Sequence, residues 1–358
     1  MKPLTIRQVA LTNFKNYQHA GFGFGERFNL VHGLNGTGKT NLLDSIYYSC
    51  VGKSYFTAMD TKVVYHGAPF FRIDTKVSRE EDHMVVIKVK PGESKEILLD
   101  GIAYERISDH LGFIPVVISA PRDIELITGS GQMRRKYLDH LLCQTDSKYL
   151  HALQSYNHLL QLRNATLKQQ PSDLRRLIET YNVQMSIHAR FIFESREQLQ
   201  MELVPILQSA YEDLSGGREQ ISMTYETDLR EQSFEILADK HWDSDKNLGR
   251  THSGIHRDEF LFSINQMPAK DFGSQGQIKS VIFAMHLSKY KVLSRHSGFK
   301  PVLILDDIFD KLDEGRLKNL VDILMADDFG QVFLSDTDRK RIGSYLSSSW
   351  LHEIPMQT

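Results

Sequence analysis

The chain has 358 residues, of which 41% are hydrophobic and 25% charged, and its formal net charge is -2 at pH 7. This composition is ordinary for a soluble globular protein and allows two domains, or one large domain with an insertion. The balanced charge argues against a surface that binds nucleic acid everywhere, but it allows a local basic patch.

Targeting and cysteine patterns point to the cytoplasm. Residues 1–11 carry Arg7 and Gln8 where a signal peptide requires an apolar core, and no apolar run approaches the ~20 residues that span a bilayer. Cys50 and Cys143 lie far apart and follow apolar runs, so we expect them to pack in a core in a reducing compartment. We therefore predict a cytoplasmic protein without a membrane partner.

The first third of the chain is predicted to be rich in strands. Residues 4–11 alternate as in a strand, and residues 28–32 read as a buried strand followed by a helix over 41–50. Short apolar runs at 71–77, 84–89 and 97–99 predict an antiparallel meander, and 115–119 predicts another buried strand.

A phosphate-binding loop connects the predicted strand 28–32 to the helix. Its sequence fits G-x-x-x-x-G-K-[ST], in which glycines let backbone N–H groups surround a phosphate. Lys39 would contact the β- and γ-phosphates, the Thr40 hydroxyl would ligate Mg²⁺, and the helix N-terminus would face the same anion. The motif is Gly33-Leu34-Asn35-Gly36-Thr37-Gly38-Lys39-Thr40. It predicts a site for a nucleoside triphosphate such as ATP with Mg²⁺, but many functions use such a loop.

The middle of the chain changes to helical periodicity. Residues 132–214 show little strand pattern, and residues 169–172 break the periodicity, which predicts an antiparallel helical insertion with a second helix of roughly 40 residues. Strands are predicted again at 221–225, 260–264, 302–305 and 332–335. The nucleotide-binding fold is therefore predicted to be split between the two ends of the chain.

Two acids follow the predicted strand 302–305. Asp306 at the strand tip would hold Mg²⁺, and Asp307 would orient or deprotonate the attacking water. A hydrophobic strand that merely ends in an acidic turn is the simpler alternative. A third element, Ser274-Gln275-Gly276-Gln277, opens a predicted helix that runs to about His296, and its hydroxyl, amide and N–H groups would form an anion site. Ser274 as a plain helix cap is the alternative there.

These three elements, in this order, resemble the ABC-type ATPases, and the helical insertion narrows the resemblance to their SMC-like branch. Over essentially the whole chain the details resemble the RecF family of DNA replication and repair proteins. The supporting segments are LTNFKNY at 11–17, GKSYF at 52–56, RRKYLD at 134–139, Tyr156 with Leu160, Arg163, Asn164, Leu167 and Lys168, GIHRD at 254–258, SQGQ at 274–277, and LDD at 305–307 with Leu312 and Asp313.

The resemblance has departures. Ile255 stands where the family usually has proline, and residues 278–280 follow the signature less closely than usual. Asp310 occupies a position often held by serine. Residues 335–337 contain no histidine where transporters place a switch residue, and a lid glutamine is not evident.

The resemblance implies an α/β fold, an ABC-type P-loop ATPase head with a β-rich N-terminal lobe and an inserted helical arm domain. Its expected segments are 1–125, the N-terminal part of the ATPase domain, 126–217, the helical arm, and 218–358, the C-terminal part with signature and acidic strand. In this family the signature closes over the γ-phosphate in a second subunit, so we expect an ATP-dependent homodimer and slow ATP hydrolysis. Asp313 would lie in the subunit-contact turn.

The implied function is DNA binding in recombinational repair and replication, with support of recombinase loading at gaps and of the SOS response. Expected partners are double-stranded, gapped or junction DNA, single-stranded DNA and recombination mediator proteins. Candidate phosphate contacts are basic residues of the arm, with a solvated helix face and internal salt bridges as the alternative. They are Arg134, Arg135, Lys136, Arg163 and Lys168.

Some further positions are assigned by resemblance or left open. His256 and Arg257 would reach the nucleotide or the partner chain, with a structural turn as the alternative, and the resemblance places Lys53 near the bound nucleotide. Arg339, Lys340 and Arg341 are interpreted as plain surface. Two other functions are considered, a transporter-type ATPase subunit and a nucleotide-dependent protein scaffold with weak DNA binding.

Overall fold

The computed structural model describes residues 1–93, 95–217, 219–307, 314–326, 329–339 and 350–356. Contacts divide the chain into two compact units. The terminal unit comprises Met1–Asp123, Ala210–Arg218 and Gln275–Thr358, and the central unit comprises Ile124–Ser209 and Glu219–Ser274.

An antiparallel sheet forms one layer of the terminal unit. Strands β4 and β5 alternate between buried and less buried positions, as expected where one face of a sheet packs on a core. Within the described part of the chain this sheet has six strands in the order β2-β1-β4-β5-β6-β7. They are β1 (Thr5–Phe14), β2 (Tyr17–Gly23), β4 (Phe71–Arg79), β5 (Glu81–Val89), β6 (Glu96–Leu99) and β7 (Ile102–Ala103).

A parallel sheet forms the second layer of the terminal unit. Its central strands read VLIL and VFLSD and are buried throughout, which is typical of a sheet covered on both faces. Among described residues it has five strands in the order β14-β3-β13-β12-β8. They are β3 (Phe28–His32), β8 (Val116–Ser119), β12 (Val302–Leu305), β13 (Val332–Asp336) and β14 (Leu351–Pro355).

Among the residues that the structure describes, three α-helices belong entirely to the terminal unit. They are α1 (Lys39–Val51), α9 (Gln275–Ser297) and α10 (Glu314–Ala326). Helix α1 buries Leu42, Leu43 and Ile46 in the same hydrophobic cluster as β1, β4 and β5, and it ends at Gly52, whose φ of 74° closes the last turn. This confirms the helix predicted over 41–50.

The central unit is mainly helical. Among its described residues a small antiparallel sheet has the order β11-β10-β9, formed by β9 (Ile221–Glu226), β10 (Glu259–Ile264) and β11 (Met267–Pro268). Helix α5 is the predicted long helix, with 42 residues, and its residues from Ala210 onward belong to the terminal unit. The other helices are α2 (Glu125–Thr128), α3 (Gly131–Thr145), α4 (Ser147–Gln169), α5 (Leu174–Ser215), α6 (Phe234–Lys240), α7 (Trp242–Leu248) and α8 (Ala269–Phe272).

Several observed elements were not predicted. Strand β2 is largely exposed, β14 has one buried residue among its five, and β7 and β11 have only two residues each, so none of them shows the alternation of a half-buried strand. Residues 219–274 group with the helical segment rather than with the chain ends, because β10 packs against α3. Cys50 and Cys143 are buried, and no disulfide joins them, as expected. No helix in the described part of the chain has the length and apolar character required to cross a membrane.

Arg196 of α5 organises the interior of the central unit. Its side chain is 1% exposed and pairs with two carboxylates, those of Asp139 in α3 at 2.9 Å and Asp258 at 2.7 Å. Tyr149 donates to Asp139 and Tyr225 donates to Asp258, both at 2.6 Å. The motifs RRKYLD and GIHRD are therefore joined through one buried guanidinium, which neutralises two acids that burial would otherwise penalise.

Arg196→Met should lower the free energy of unfolding by about 3–5 kcal/mol, because it leaves two buried carboxylates without their cation. Urea unfolding measures the change. Arg190→Met on the same helix is the matched control: the Arg190–Glu194 pair is largely exposed, so its loss should leave the free energy of unfolding nearly unchanged. Equal effects of the two substitutions would contradict the central role of Arg196.

His256 in the same unit is partly buried in its neutral form. Its Nε2 donates to the Thr251 carbonyl at 3.3 Å, so Nδ1 accepts from the Tyr156 hydroxyl at 2.8 Å. Burial lowers the pKa of His256 to about 4, and the positive charge of Arg257 acts in the same direction. The unfolded chain therefore takes up a proton here near pH 6.5, well before the folded chain does.

Stability should consequently fall as the pH decreases from about 6.5 to about 4, because the unfolded state binds the additional proton. His256→Gln should flatten this part of the profile of unfolding free energy against pH. His158→Gln, at an exposed position of α4, serves as the control and should leave the profile unchanged. A wild-type slope retained in His256→Gln would show that other groups cause the acid sensitivity.

Candidate functional site

The predicted phosphate loop lies between β3 and α1, at the carboxyl edge of the parallel sheet. Gly36 and Gly38 have φ values of 85° and 104°, in the left-handed region that favours glycine. A Cβ atom at Gly38 would lie 2.6 Å from Asn16 Nδ2 and 2.7 Å from the Tyr17 hydroxyl. Leu34, Asn35 and Gly36 are exposed at the top of the loop. The loop conformation therefore depends on glycine at Gly38 for space as well as for φ.

The turn between β1 and β2 supports this loop from one side. The Tyr17 hydroxyl donates to the Gly38 carbonyl at 3.0 Å, and Asn41 Nδ2 donates to Asn16 Oδ1 at 2.7 Å. Burial raises the pKa of Tyr17, so the hydroxyl keeps its proton. Sequence reasoning found Asn16 and Tyr17 only as part of a family resemblance, because β2 itself was not predicted.

Lys39 directs its charge into the loop. The side chain is 8% exposed, and its ammonium group donates to the carbonyl oxygens of Gly33 at 2.7 Å and Leu34 at 3.0 Å. Thr37 Oγ1 donates to the same Leu34 carbonyl at 2.9 Å. A compact positive charge is thus held where the loop N–H groups converge, which suits a phosphate.

Thr40 and Asp306 meet although they are distant in sequence. Parallel pairing places Leu334 of β13 beside Leu30 of β3, so the strand ends share one edge of the sheet. The Thr40 hydroxyl lies 3.0 Å from Asp306 Oδ2. A hydroxyl and a carboxylate at this separation are the hard oxygen donors that Mg²⁺ prefers, so these side chains fit the predicted metal.

Ser335 connects the two acids. Its hydroxyl donates to Asp306 Oδ1 at 2.7 Å and accepts from the Asp307 N–H at 2.8 Å. Asp307 has a φ of 50°, a left-handed conformation that costs on the order of 1–3 kcal/mol in residues other than glycine and is least unfavourable for Asp and Asn. Sequence reasoning noted only that Ser335 is not a histidine; nothing in one sequence indicates its contact with both acids.

Burial raises the pKa of the Asp306 carboxyl, which is 2% exposed. Hydrogen bonds from Ser335 and Thr40 oppose the shift, and the charge of Asp307 adds to it. A buried carboxylate of this kind is stabilised by a nearby cation, which agrees with a metal-binding role.

The predicted signature lies at the start of α9. Ser274 is the last residue of the central unit, and Gln275 begins the third segment of the terminal unit. Both are exposed, and Gly276 and Gln277 are partly buried. Arg316 of α10 donates from Nη1 to the Gly276 carbonyl at 3.0 Å, so α10 holds the first turn of α9 in place.

A cleft of about 660 Å³ opens beside the loop. Asn16 and Asn41 lie at the end of the cleft that borders the loop and α1. Aromatic and basic side chains, with threonines and small residues, line the rest, and these are Lys15, Phe56, Thr57, Thr61, Lys62, Val64, Tyr65, His66, Gly67 and Ala68. Sequence reasoning did not find this cleft, because its lining comes from separate segments.

The candidate DNA contacts divide into buried and exposed residues. Arg163 is 0% exposed and pairs with Asp245 at 2.8 Å, and Arg134 is 7% exposed and pairs with Glu259 at 2.9 Å. Arg135 is partly buried and donates to the Asp258 carbonyl. The prediction of phosphate contacts is therefore wrong for Arg134 and Arg163, which serve as internal ion pairs. Lys136 and Lys168 are exposed.

The other predicted positions are exposed or lie outside the described residues. Lys53 and Arg257 are exposed, and Arg339 pairs with Glu353 at 2.6 Å. Asp310, Leu312, Asp313, Lys340 and Arg341 lie outside the described residues.

Comparison with known proteins adds the family. A family model described as an AAA domain matches residues 8–325. The DNA replication and repair protein RecF of Flavobacterium johnsoniae is 38% identical over 348 residues, covering 96% of this chain and 97% of the relative. RecF of Cytophaga hutchinsonii is 36% identical, covering 96% and 92%.

Solved structures give the same result. The recombination mediator protein RecF-ATPrS in the RecFOR pathway matches with a TM-score of 0.88 and 26% identity over 98% of this chain and 96% of that one. The RecF-ATP structure matches with a TM-score of 0.86, 27% identity and coverage of 94% and 93%. An Smc head domain of Pyrococcus furiosus, with a TM-score of 0.55 and 15% identity, shares the fold.

These similarities confirm the predicted ABC-type ATPase head fold. At 33–38% identity to curated relatives over 96% of its length, the chain belongs to the RecF family of DNA replication and repair proteins.

Proposed function

We propose that the chain is an ATP-dependent DNA-binding protein that dimerises around ATP with Mg²⁺, hydrolyses ATP slowly and acts in the cytoplasm in recombinational repair and replication. One observation carries the proposal: Thr40, Asp306, Asp307 and Ser335 form one hydrogen-bonded group beside the phosphate loop. A loop that binds phosphates and a pair of acids beside it are the parts that nucleotide hydrolysis requires.

Residues of the terminal unit would bind the nucleotide. The loop N–H groups and Lys39 would hold the β- and γ-phosphates, and the cleft beside Asn16 and Asn41 would receive the nucleoside. Support for ATP comes from two similar proteins whose structures are described with ATPrS and with ATP. Bound ATP would supply the γ-phosphate that a second subunit contacts.

Thr40 and Asp306 would hold Mg²⁺ through their oxygen atoms, and Asp307 would orient or deprotonate the attacking water. Ser335 would keep the Asp307 backbone in its left-handed conformation, since it accepts the Asp307 N–H. The direction of the Asp307 carboxylate thus depends on Ser335.

The signature would act on a second copy of the chain. Ser274 and Gln275 are exposed at the N-terminus of a helix of 23 residues, so their polar groups are accessible to another molecule. A helix N-terminus stabilises an anion, and here the anion would be the γ-phosphate held by the partner's loop. Dimerisation would then require ATP, and hydrolysis would release the subunits.

Exposed basic residues of the central unit would contact the DNA backbone. Lys136, Lys168 and Arg257 are exposed, whereas Arg134 and Arg163 neutralise internal acids. Double-stranded, gapped, junction or single-stranded DNA are the proposed ligands, with recombination mediator proteins as partners in recombinase loading and the SOS response. The names of the relatives, DNA replication and repair protein and recombination mediator protein, support this role.

Analytical ultracentrifugation with ATP, ADP or no nucleotide, with and without gapped DNA, tests the proposal. We expect wild-type dimers only with ATP and no dimers of Lys39→Met, because the variant lacks the charge that holds the phosphates. Lys88→Met removes an exposed lysine of β5 and should behave as wild type. A wild type that stays monomeric at micromolar concentration with saturating ATP would exclude the dimer mechanism.

DNA binding is measured in parallel at several salt concentrations, with and without ATP. Binding that strengthens with ATP and weakens with salt supports backbone contact by the dimer. DNA binding that is weak and indifferent to ATP would favour the protein scaffold instead.

A second variant places the signature. Ser274→Arg should leave ATP affinity of the monomer unchanged and abolish dimerisation, because a long cation would occupy the space that the partner's nucleotide requires. Isothermal titration at low protein concentration and sedimentation measure the two properties. Ser172→Arg makes the same change at an exposed position and should alter neither. Loss of ATP binding by the Ser274→Arg monomer would show that the signature acts within its own chain.

A further inference from the structure

Asp44 connects the P-loop helix to the segment that follows it. This residue of α1 lies one turn after Thr40 and is 0% exposed. Its carboxylate accepts from Ser54 Oγ at 2.6 Å and from the Tyr55 N–H at 2.8 Å, and it pairs with Lys15 Nζ at 2.6 Å. The conformation of the GKSYF segment is thus fixed by the helix that begins in the phosphate loop.

Tyr55 extends this connection away from α1. Its ring packs edge-on against Tyr47 at 5.2 Å, and its hydroxyl donates to Asp123. Arg122 donates to the Tyr55 carbonyl at 2.8 Å. Burial, together with the Asp123 charge, raises the pKa of Tyr55 well above its ordinary value, so the hydroxyl keeps its proton and can donate to Asp123.

Asp123 joins Tyr55 to the signature helix. It is 3% exposed, and its Oδ2 accepts from the Ala120 N–H at 2.8 Å and lies 3.0 Å from Nε2 of His286. His286 is 1% exposed and belongs to α9, the helix that begins at Gln275 of the signature. Within the terminal unit a buried polar path therefore connects α1 to α9. It runs from Asp44 to Tyr55, from Tyr55 to Asp123 and from Asp123 to His286, and Lys15 pairs with Asp44 at its α1 end.

A buried carboxylate restricts the groups that satisfy it. Asp123 is hydrogen-bonded to Tyr55, to its neighbour Ala120 and to His286, and movement of any of these groups would cost the buried carboxylate one of its hydrogen bonds. Because α9 is a continuous helix, fixing it at His286 also fixes its first turn, where Gln275 lies.

We propose that Asp123 is a positioning residue that ties the signature helix to the P-loop helix, so that the loaded phosphate loop sets the position of Gln275, Gly276 and Gln277. This rests on the proposed function, in which those residues meet the nucleotide of a second copy. Asp123 and Tyr55 would act through α9, with no contact to the nucleotide. The GKSYF segment, which the sequence singles out only by family resemblance, would thereby act in positioning the signature helix.

Tyr55→Phe tests this with the loss of one oxygen atom. We expect monomer ATP affinity within about threefold of wild type and ATP-dependent dimerisation weakened about tenfold or more, the effect of losing a hydrogen bond to a buried charge. Tyr48→Phe is the matched control, since it removes a Tyr–Asp hydrogen bond, to Asp60 at 2.9 Å, that is not part of the path. It should dimerise as wild type does.

Hydrogen exchange of a peptide covering residues 275–286, at concentrations where the chain is monomeric, gives a readout independent of the dimer. ATP should slow exchange there in wild type and Tyr48→Phe, and should not in Tyr55→Phe. His286→Gln, which keeps a donor for Asp123, should retain the response, and His286→Leu should lose it.

Equal dimerisation of Tyr55→Phe and Tyr48→Phe would overturn the proposal, as would loss of monomer ATP affinity in Tyr55→Phe. An α9 peptide whose exchange in wild type ignores ATP would overturn it as well. Failure of wild type to dimerise refutes the proposed dimer alone, because the exchange measurement then still decides whether α1 and α9 are tied.

Discussion

Parallel pairing of β3 with β13 is the constraint on which the terminal unit depends. It brings Leu30 beside Leu334, so an element near the start of the chain and one near its end form a single edge. Strands buried on both faces must exclude water along their whole length, which fixes their order and register. The contact between Thr40 and Asp306 follows from that register.

Charged side chains are buried at this edge of the sheet, although a folded core usually excludes them. Lys39 and Asp306 are both almost buried, and Asp307 adopts a left-handed backbone. Such arrangements reduce stability, and they are expected where binding of a ligand compensates them. Ser335 is the side chain that makes the two adjacent acids compatible, since it donates to one and accepts from the backbone of the other.

The central unit uses charge differently. Arg163 and Arg196 are buried completely, each paired with a carboxylate from a distant segment. Arg163 joins α4 to α7, and Arg196 joins α5 to the loop before β10. Three segments that resemble family motifs each contribute a residue to these internal pairs, namely Asp139, Arg163 and Asp258. A basic residue in a family motif is therefore not by itself evidence for a contact with DNA, whereas Lys136, Lys168 and Arg257 are exposed and available for one.

The sequence by itself predicted the phosphate loop, the acidic strand tip, the signature segment and eight of the eleven strands described in the two larger sheets, because each depends on local periodicity or on residue types within one short segment. Only the tertiary structure decided which arginines are buried, that Ser335 contacts both acids, that Asn16 and Tyr17 support the loop, and that residues 219–274 pack with the helices. These features join segments that are far apart in the chain, and a single sequence contains no local pattern that specifies such pairs. Burial of Arg163 beside Asp245, for example, follows from how α4 and α7 pack, which neither helix encodes alone.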